Sequence, residues 1–156
     1  MGTNRDECSM GRISQYRALN RQDRRALWQA FWRLLLVRLS LIGGIRLALR
    51  LFDGGRGRTC PLAEGELLDW KHRAVALRRS ARLLPGTHCL ARALALRWWL
   101  RSCGHDARMH IGVAKAPHGV DSHAWVTVAG EPVDETRENI ARFQLLGDEA
   151  HYLRSR

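Results

Sequence analysis

Residues 85–100 read Pro85-Gly86-Thr87-His88-Cys89-Leu90-Ala91-Arg92-Ala93-Leu94-Ala95-Leu96-Arg97-Trp98-Trp99-Leu100, and the rest of the chain is organised around this stretch. A Pro-Gly pair closes one helical pattern. A short polar step then opens the next, which is rich in Ala and Leu, with Thr87 read as its cap. Cys89 is thus expected in the first turn of a helix. There the N–H groups lack intrahelical partners and the helix dipole is positive. A thiolate is stabilised at such a place and its nucleophilicity rises, and the same N–H groups can hold an oxyanion. Further on, Ser122-His123-Ala124-Trp125-Val126-Thr127-Val128 is a strand-like run carrying a histidine. Cysteine on a helix start followed by histidine on a strand suits thiol catalysis. The thiolate faces a substrate carbonyl, and the imidazole takes and returns a proton.

A third group should orient the imidazole, and Val133-Asp134-Glu135 offers two carboxylates. Hairpin register chooses between them, because side chains alternate faces. A two-residue loop at Ala129-Gly130 pairs Val128 with Glu131 and places Asp134 on the face of His123. A three-residue loop with Gly130 in a bulge puts Glu135 directly across from His123, and Gly130 at that place favours the bulge. The spacing leaves both open. His110 on the preceding strand and Trp125 beside His123 are candidates for the substrate cleft. His88 points elsewhere around the first turn, and His118 falls in a loop.

With 156 residues the chain is long enough for one core plus a helical arm, here placed at residues 1–58 and 59–156. Its formal net charge is +11, carried almost wholly by arginine, with Lys71 and Lys115 the only lysines. Such basicity suggests an acidic partner without choosing among nucleic acid, anionic lipid and acidic peptide. No nucleic-acid motif appears, and the aromatics are not interleaved with the basic residues as a stacking platform needs. Nucleic acid is therefore not the expected partner, and a non-enzymatic Arg-rich module that binds an acidic partner or nucleic acid stands as the alternative. Cys8, Cys60, Cys89 and Cys103 are scattered, with no C-x-x-C pair and no ligand-spaced Cys/His set. A reducing compartment and no metal are expected. Cys103 is read as a buried or semi-buried structural thiol. The apolar residues 26–52 are punctuated by Arg33, Arg38, Arg46 and Arg50. Their longest uncharged stretch, Leu39–Ile45, is far short of a membrane span of about 20 residues.

Met1 to about Asn20 is weakly patterned. Helical spacing runs from Gln22 to about Phe52, with Gly43-Gly44 as a split or kink. Its surplus apolar surface is read as packing on the core, or as docking a partner or a membrane surface. A second helix spans about Ala63 to Leu84, its basic face read as solvated surface. The Cys89 helix ends near Ser102, with Gly104 as its stop. Strands follow at Ala107–Val113, Ser122–Val128 and near Pro132–Val133. A polar C-terminal helix from Thr136 carries Ile140, Phe143, Leu145 and Leu146. Helices first and an antiparallel sheet after them argue an α+β fold.

Several pieces together resemble the B2 proteins (leader peptidases) of lasso peptide biosynthesis, in the transglutaminase-like, papain-like cysteine protease superfamily. They are Leu84-Pro85-Gly86, Cys89-Leu90, Ala93-Leu94-Ala95, Leu100-Arg101 and Gly104, then Ile111-Gly112-Val113, Ser122-His123-Ala124-Trp125-Val126 and Gly130-Glu131-Pro132-Val133. The resemblance covers roughly residues 70–136. It implies a cysteine-bearing helix packed on a small antiparallel sheet, with helices in front. It also implies a cofactor-free cytoplasmic protease that removes the leader from a ribosomally made precursor peptide. A separate ATP-dependent cyclase would then close the macrolactam. Cys89 would be nucleophile and His123 general base and acid. The family's third residue, an aspartate after Val-Asn, aligns with Glu135, and Asp134 falls on the Asn position. The absence of a fused recognition domain implies a separate leader-recognition partner (B1), with the cyclase a further candidate partner.

Overall fold

A computed structural model describes residues 21–148, apart from 54, 56, 58, 59, 85 and 118. The expectations for residues 1–20, Cys8 and the His118 loop fall outside the described residues. The order is α1 (Arg21–Leu41), α2 (Ile45–Leu51), α3 (Glu64–Ala81), α4 (Cys89–Ser102), β1 (Ala107–Ala116), β2 (Gly119–Val128), β3 (Glu131–Pro132), α5 (Arg137–Ala141) and β4 (Gln144–Asp148). The fold is α+β. A four-stranded antiparallel sheet, ordered β3-β2-β1-β4, has α4 packed against one face.

The first helical pattern breaks at Gly43-Gly44. Gly44 takes φ +98°, a backbone state open to glycine, and α2 starts beyond it. Leu34, Val37, Ala48 and Leu49 from these two helices are fully buried in one cluster with α3, α4 and the sheet. Three helices meet at an aromatic seam. Trp70 on α3 stands edge-on to Trp99 on α4 at 6.0 Å, and the Arg33 guanidinium of α1 covers Trp99 at 4.6 Å.

Helix α4 is the centre of the molecule. Ala91, Ala93, Leu94, Ala95, Leu96 and Leu100 are all buried, so helices cover one side and strands the other. Its small alanines let the sheet approach closely. Ala124, Val126 and Val128 of β2 and Met109 of β1 fill that side. The alternate residues, His123, Trp125 and Thr127, point to the outer face of the sheet, as the two-residue period requires.

Four local expectations change. Thr87 does not cap α4: its hydroxyl donates back to the Leu84 carbonyl at 2.7 Å, and His88 takes the N-cap position in extended backbone. Cys103 is exposed, because α4 ends at Ser102 and the chain turns outward. The β2–β3 loop has two residues, Ala129 and Gly130, both at positive φ, with Val128 opposite Glu131. Bulge register is thus replaced by a primed turn whose twist matches the strands. The C-terminal helix is one short turn, Arg137–Ala141, capped by Thr136, whose oxygen accepts from the Asn139 N–H. Leu145 and Leu146 then continue as β4, paired with β1. Five residues gain little as an isolated helix, and the open edge of β1 offers the next segment a ladder of hydrogen bonds.

Candidate active site

Cys89 opens α4 and is half-buried, its thiol directed at the Ser122 carbonyl of β2 at 3.9 Å. Because Ser122 precedes His123, the sulfur lies against the peptide that carries the imidazole. No side chain caps α4, so its first-turn N–H groups are left without a side-chain acceptor. Cys60 and Cys103, also free thiols, are exposed elsewhere.

The imidazole is held on three sides. His123 Nε2 hydrogen-bonds to Glu135 Oε1 at 3.0 Å, and the ring stacks on Phe143 at 5.3 Å and Trp125 at 6.3 Å. A carboxylate only accepts, so Nε2 is the donor in this bond, and a neutral ring so held has its lone pair on Nδ1. Glu135 is fixed in turn. Asn139 Nδ2 donates to its second oxygen at 2.7 Å, and Arg78 of α3 lies 3.6 Å from the first.

Asp134 does something else. Its Oδ1 accepts the Val126 N–H at 2.9 Å, and its own carbonyl accepts from Arg78 at 2.9 Å. The two-residue turn would have placed Asp134 on the histidine's face had the ladder continued. It stops after Pro132, the chain bends, and Glu135 rather than Asp134 reaches the ring. The Asp134 residue is partly exposed, yet its carboxyl turns inward and its pKa is pushed up to about 6, burial being the largest cause. A narrow crevice joins Cys89, Arg92, Asp134 and Glu135 between α4 and the edge of β2.

His110 pairs with Trp125 across β1 and β2, stacks on it at 5.8 Å, and shares a 2.8 Å hydrogen bond with Thr127. It sits on the outer face beside the histidine row rather than at the thiol. Gly112, opposite His123, has a structural reason. A Cβ there would lie 2.9 Å from Phe143 and from Trp125, the two rings that support the imidazole. A family model, the transglutaminase-like superfamily, matches residues 26–147. The chain belongs to that superfamily. No curated protein and no solved structure matches it.

Transglutaminase-like proteins are typically cysteine peptidases or transglutaminases, and the α+β core here fits that superfamily. Three supporting residues were not singled out from the sequence. Arg78 looked like solvated helix surface, and nothing local ties it to a carboxylate 57 positions away. Phe143 falls, by its spacing, among the apolar residues of the expected C-terminal helix. Asn139 had a signal: Thr136 three residues before it is an N-cap pattern, and that cap turns Asn139 back onto Glu135. Among the described residues no group of three or more His, Cys, Asp or Glu could hold a metal ion, and no helix is long and apolar enough to cross a membrane.

Proposed function

We propose that the chain is a cysteine peptidase that removes the leader from a lasso peptide precursor, with Cys89 as nucleophile, His123 as general base and acid, and Glu135 as the orienting residue. The observation that carries the peptidase reading is the His123–Glu135 hydrogen bond through Nε2. It leaves Nδ1 as the basic atom of a ring on the residue next to Ser122, whose carbonyl the Cys89 thiol approaches at 3.9 Å. In the reaction the thiol turns from the Ser122 carbonyl toward Nδ1 and gives up its proton. Sulfur then attacks the scissile carbonyl, and the uncapped N–H groups of α4 receive the oxyanion. The imidazolium, stabilised by Glu135, returns the proton to the leaving amine. Water, deprotonated by His123, hydrolyses the thioester.

The lasso assignment rests on the resemblance around Cys89, Gly112 and His123, and on the free amine that leader removal supplies to a macrolactam cyclase. A separate leader-recognition protein and the cyclase are the proposed partners, and the cytoplasm is the proposed site of action. The test mixes the purified chain with lasso precursor peptides, each with its recognition protein, and follows leader loss by mass spectrometry. Cleavage is expected, and it should vanish in Cys89→Ala and His123→Ala variants that keep the native melting temperature. Cleavage persisting in Cys89→Ala would overturn the thiol mechanism. Cleavage of other peptides but of no lasso precursor would leave a peptidase and remove the lasso reading.

A further inference from the structure

Strand β2 pairs with β1 along its whole length, from Gly119 opposite Ala116 to Val128 opposite Ala107. On its other side β3 pairs only with Thr127 and Val128. Val126 is met there by the bend beyond β3: its carbonyl accepts from the Val133 N–H at 3.0 Å, and its N–H donates to Asp134 at 2.9 Å. In an antiparallel strand both main-chain groups of a residue point to one side, and those of the next residue to the other. The side taken by Val126 therefore fixes the rest. Val120, Ser122 and Ala124 turn their N–H and C=O groups away from β1, while Asp121 and His123 turn theirs toward it. The Ser122 carbonyl obeys this rule, since it faces the Cys89 thiol at 3.9 Å. Ala124 lines the crevice that holds Cys89, so the edge runs into the site itself. From Ser122 back to Gly119 the residues are exposed, Val120 by 73%. Among the described residues no strand pairs with this stretch on the side away from β1. Such an edge is a template for another extended chain.

We propose that the open edge of β2, Gly119–Ser122, docks the peptide substrate as an added strand. The inference rests on the peptidase reading and adds how that site holds its substrate, which is by main chain. A peptide hydrogen-bonded to Val120 runs about 4.8 Å from β2, beside the thiol that meets Ser122. It has to arrive extended, and it cannot carry proline where its own N–H meets the edge. Continuity with the Cys89 crevice selects a peptide over a second copy of the chain as the occupant, because a strand laid on this edge passes the nucleophile.

Val120→Pro is the decisive variant. The N–H it removes lies on the open side, so the ladder to β1 keeps its hydrogen bonds. Val120→Ala keeps that N–H and serves as control. Both are compared with the parent for kcat/KM on a lasso precursor mixed with its recognition protein. Val120→Pro should lower the value about fivefold at an unchanged melting temperature, the size of one hydrogen bond, and Val120→Ala by less than about twofold. Should Val120→Pro fail to fold, amide hydrogen exchange in the Cys89→Ala chain, followed by NMR, reads the edge directly. There the uncleaved precursor should slow exchange at Val120 and Ser122 about tenfold. Full activity in a folded Val120→Pro variant, or exchange at both amides unmoved by saturating precursor, would overturn strand addition and leave the peptidase standing. Slowing that grows with protein concentration in the absence of peptide would assign the edge to a second copy instead. Protection by a precursor that the parent chain does not cleave would remove the peptidase reading and keep the edge as a peptide-docking strand.

Discussion

Asp134 and Glu135 are adjacent carboxylates in different surroundings. Glu135 meets the His123 ring, Asn139 and Arg78, whereas Asp134 turns inward and accepts the Val126 N–H of β2. Burial raises the Asp134 pKa from 3.8 to about 6, so the folded state holds this proton more tightly than the unfolded chain. The contribution of this group to stability is therefore full below about pH 4 and is lost as pH rises toward 6. Asp134→Asn keeps the acceptor for Val126 and removes the buried charge. The variant should melt about 2–4 °C above the parent at pH 8, and the gap should narrow at pH 5 and close below about pH 4. Calorimetry at the two values checks this, and an equal shift at both would show that charge burial is not the cause. For Glu135→Gln the expected effect is on the reaction instead. Its kcat should fall about a hundredfold with little change in KM, since the imidazole loses its anionic partner but substrate contacts remain. Asn139→Ala should lower kcat only about threefold, because Arg78 still lies against Glu135.

Helix α4 owes its position to a partner outside any regular element. Asp53, just after α2, accepts from Arg97 at 2.9 Å and also pairs with Arg101, one helical turn further along. Arg97 is fully buried and additionally donates to the Phe52 carbonyl. Two cations on the inner side of the Cys89 helix thus dock on the end of the N-terminal helices. Asp53→Ala should destabilise the fold by about 2 kcal/mol, less than for a fully enclosed pair because Asp53 keeps solvent contact. Denaturant unfolding measures the loss. In the sheet, Gly112 is the corresponding point. Gly112→Ala drives a methyl group into Phe143 and Trp125, costs about 1–3 kcal/mol and tilts the imidazole. A variant as stable and active as the parent would show that those rings do not position His123.

Across the whole molecule, α1 is apolar on two sides. Ala30, Leu34 and Val37 are buried, while Trp28, Trp32, Leu36 and Leu39 stand exposed and the two tryptophans stack at 6.0 Å. Only the inner side contributes to the core. Leu34→Ala should cost about 3 kcal/mol through the cavity it leaves, whereas Trp28→Ser with Trp32→Ser should change stability by less than about 0.5 kcal/mol. A large loss in the double variant would place the outer side in the fold as well.

The sequence by itself determined what depends on near neighbours. Periodicity located the helices, and Gly43-Gly44 and Gly104 marked where they stop. Alternation around Ile111 and His123 marked the two long strands, and the Pro-Gly step placed Cys89 on a helix start. What only the tertiary structure decided depends on groups distant in the chain. Register alone did not assign the third residue of the site, because β3 ends after two residues and the bend beyond it swings Glu135 to the imidazole. Arg78, Asn139 and Phe143 converge there from α3, α5 and the approach to β4. The strand identity of Gln144–Asp148 came from the open edge of β1, and the burial of Arg97 from Asp53. Local propensity reports on one backbone segment and its immediate neighbours. A carboxylate, a guanidinium and a ring supplied by separate segments meet only once the core has set where those segments lie.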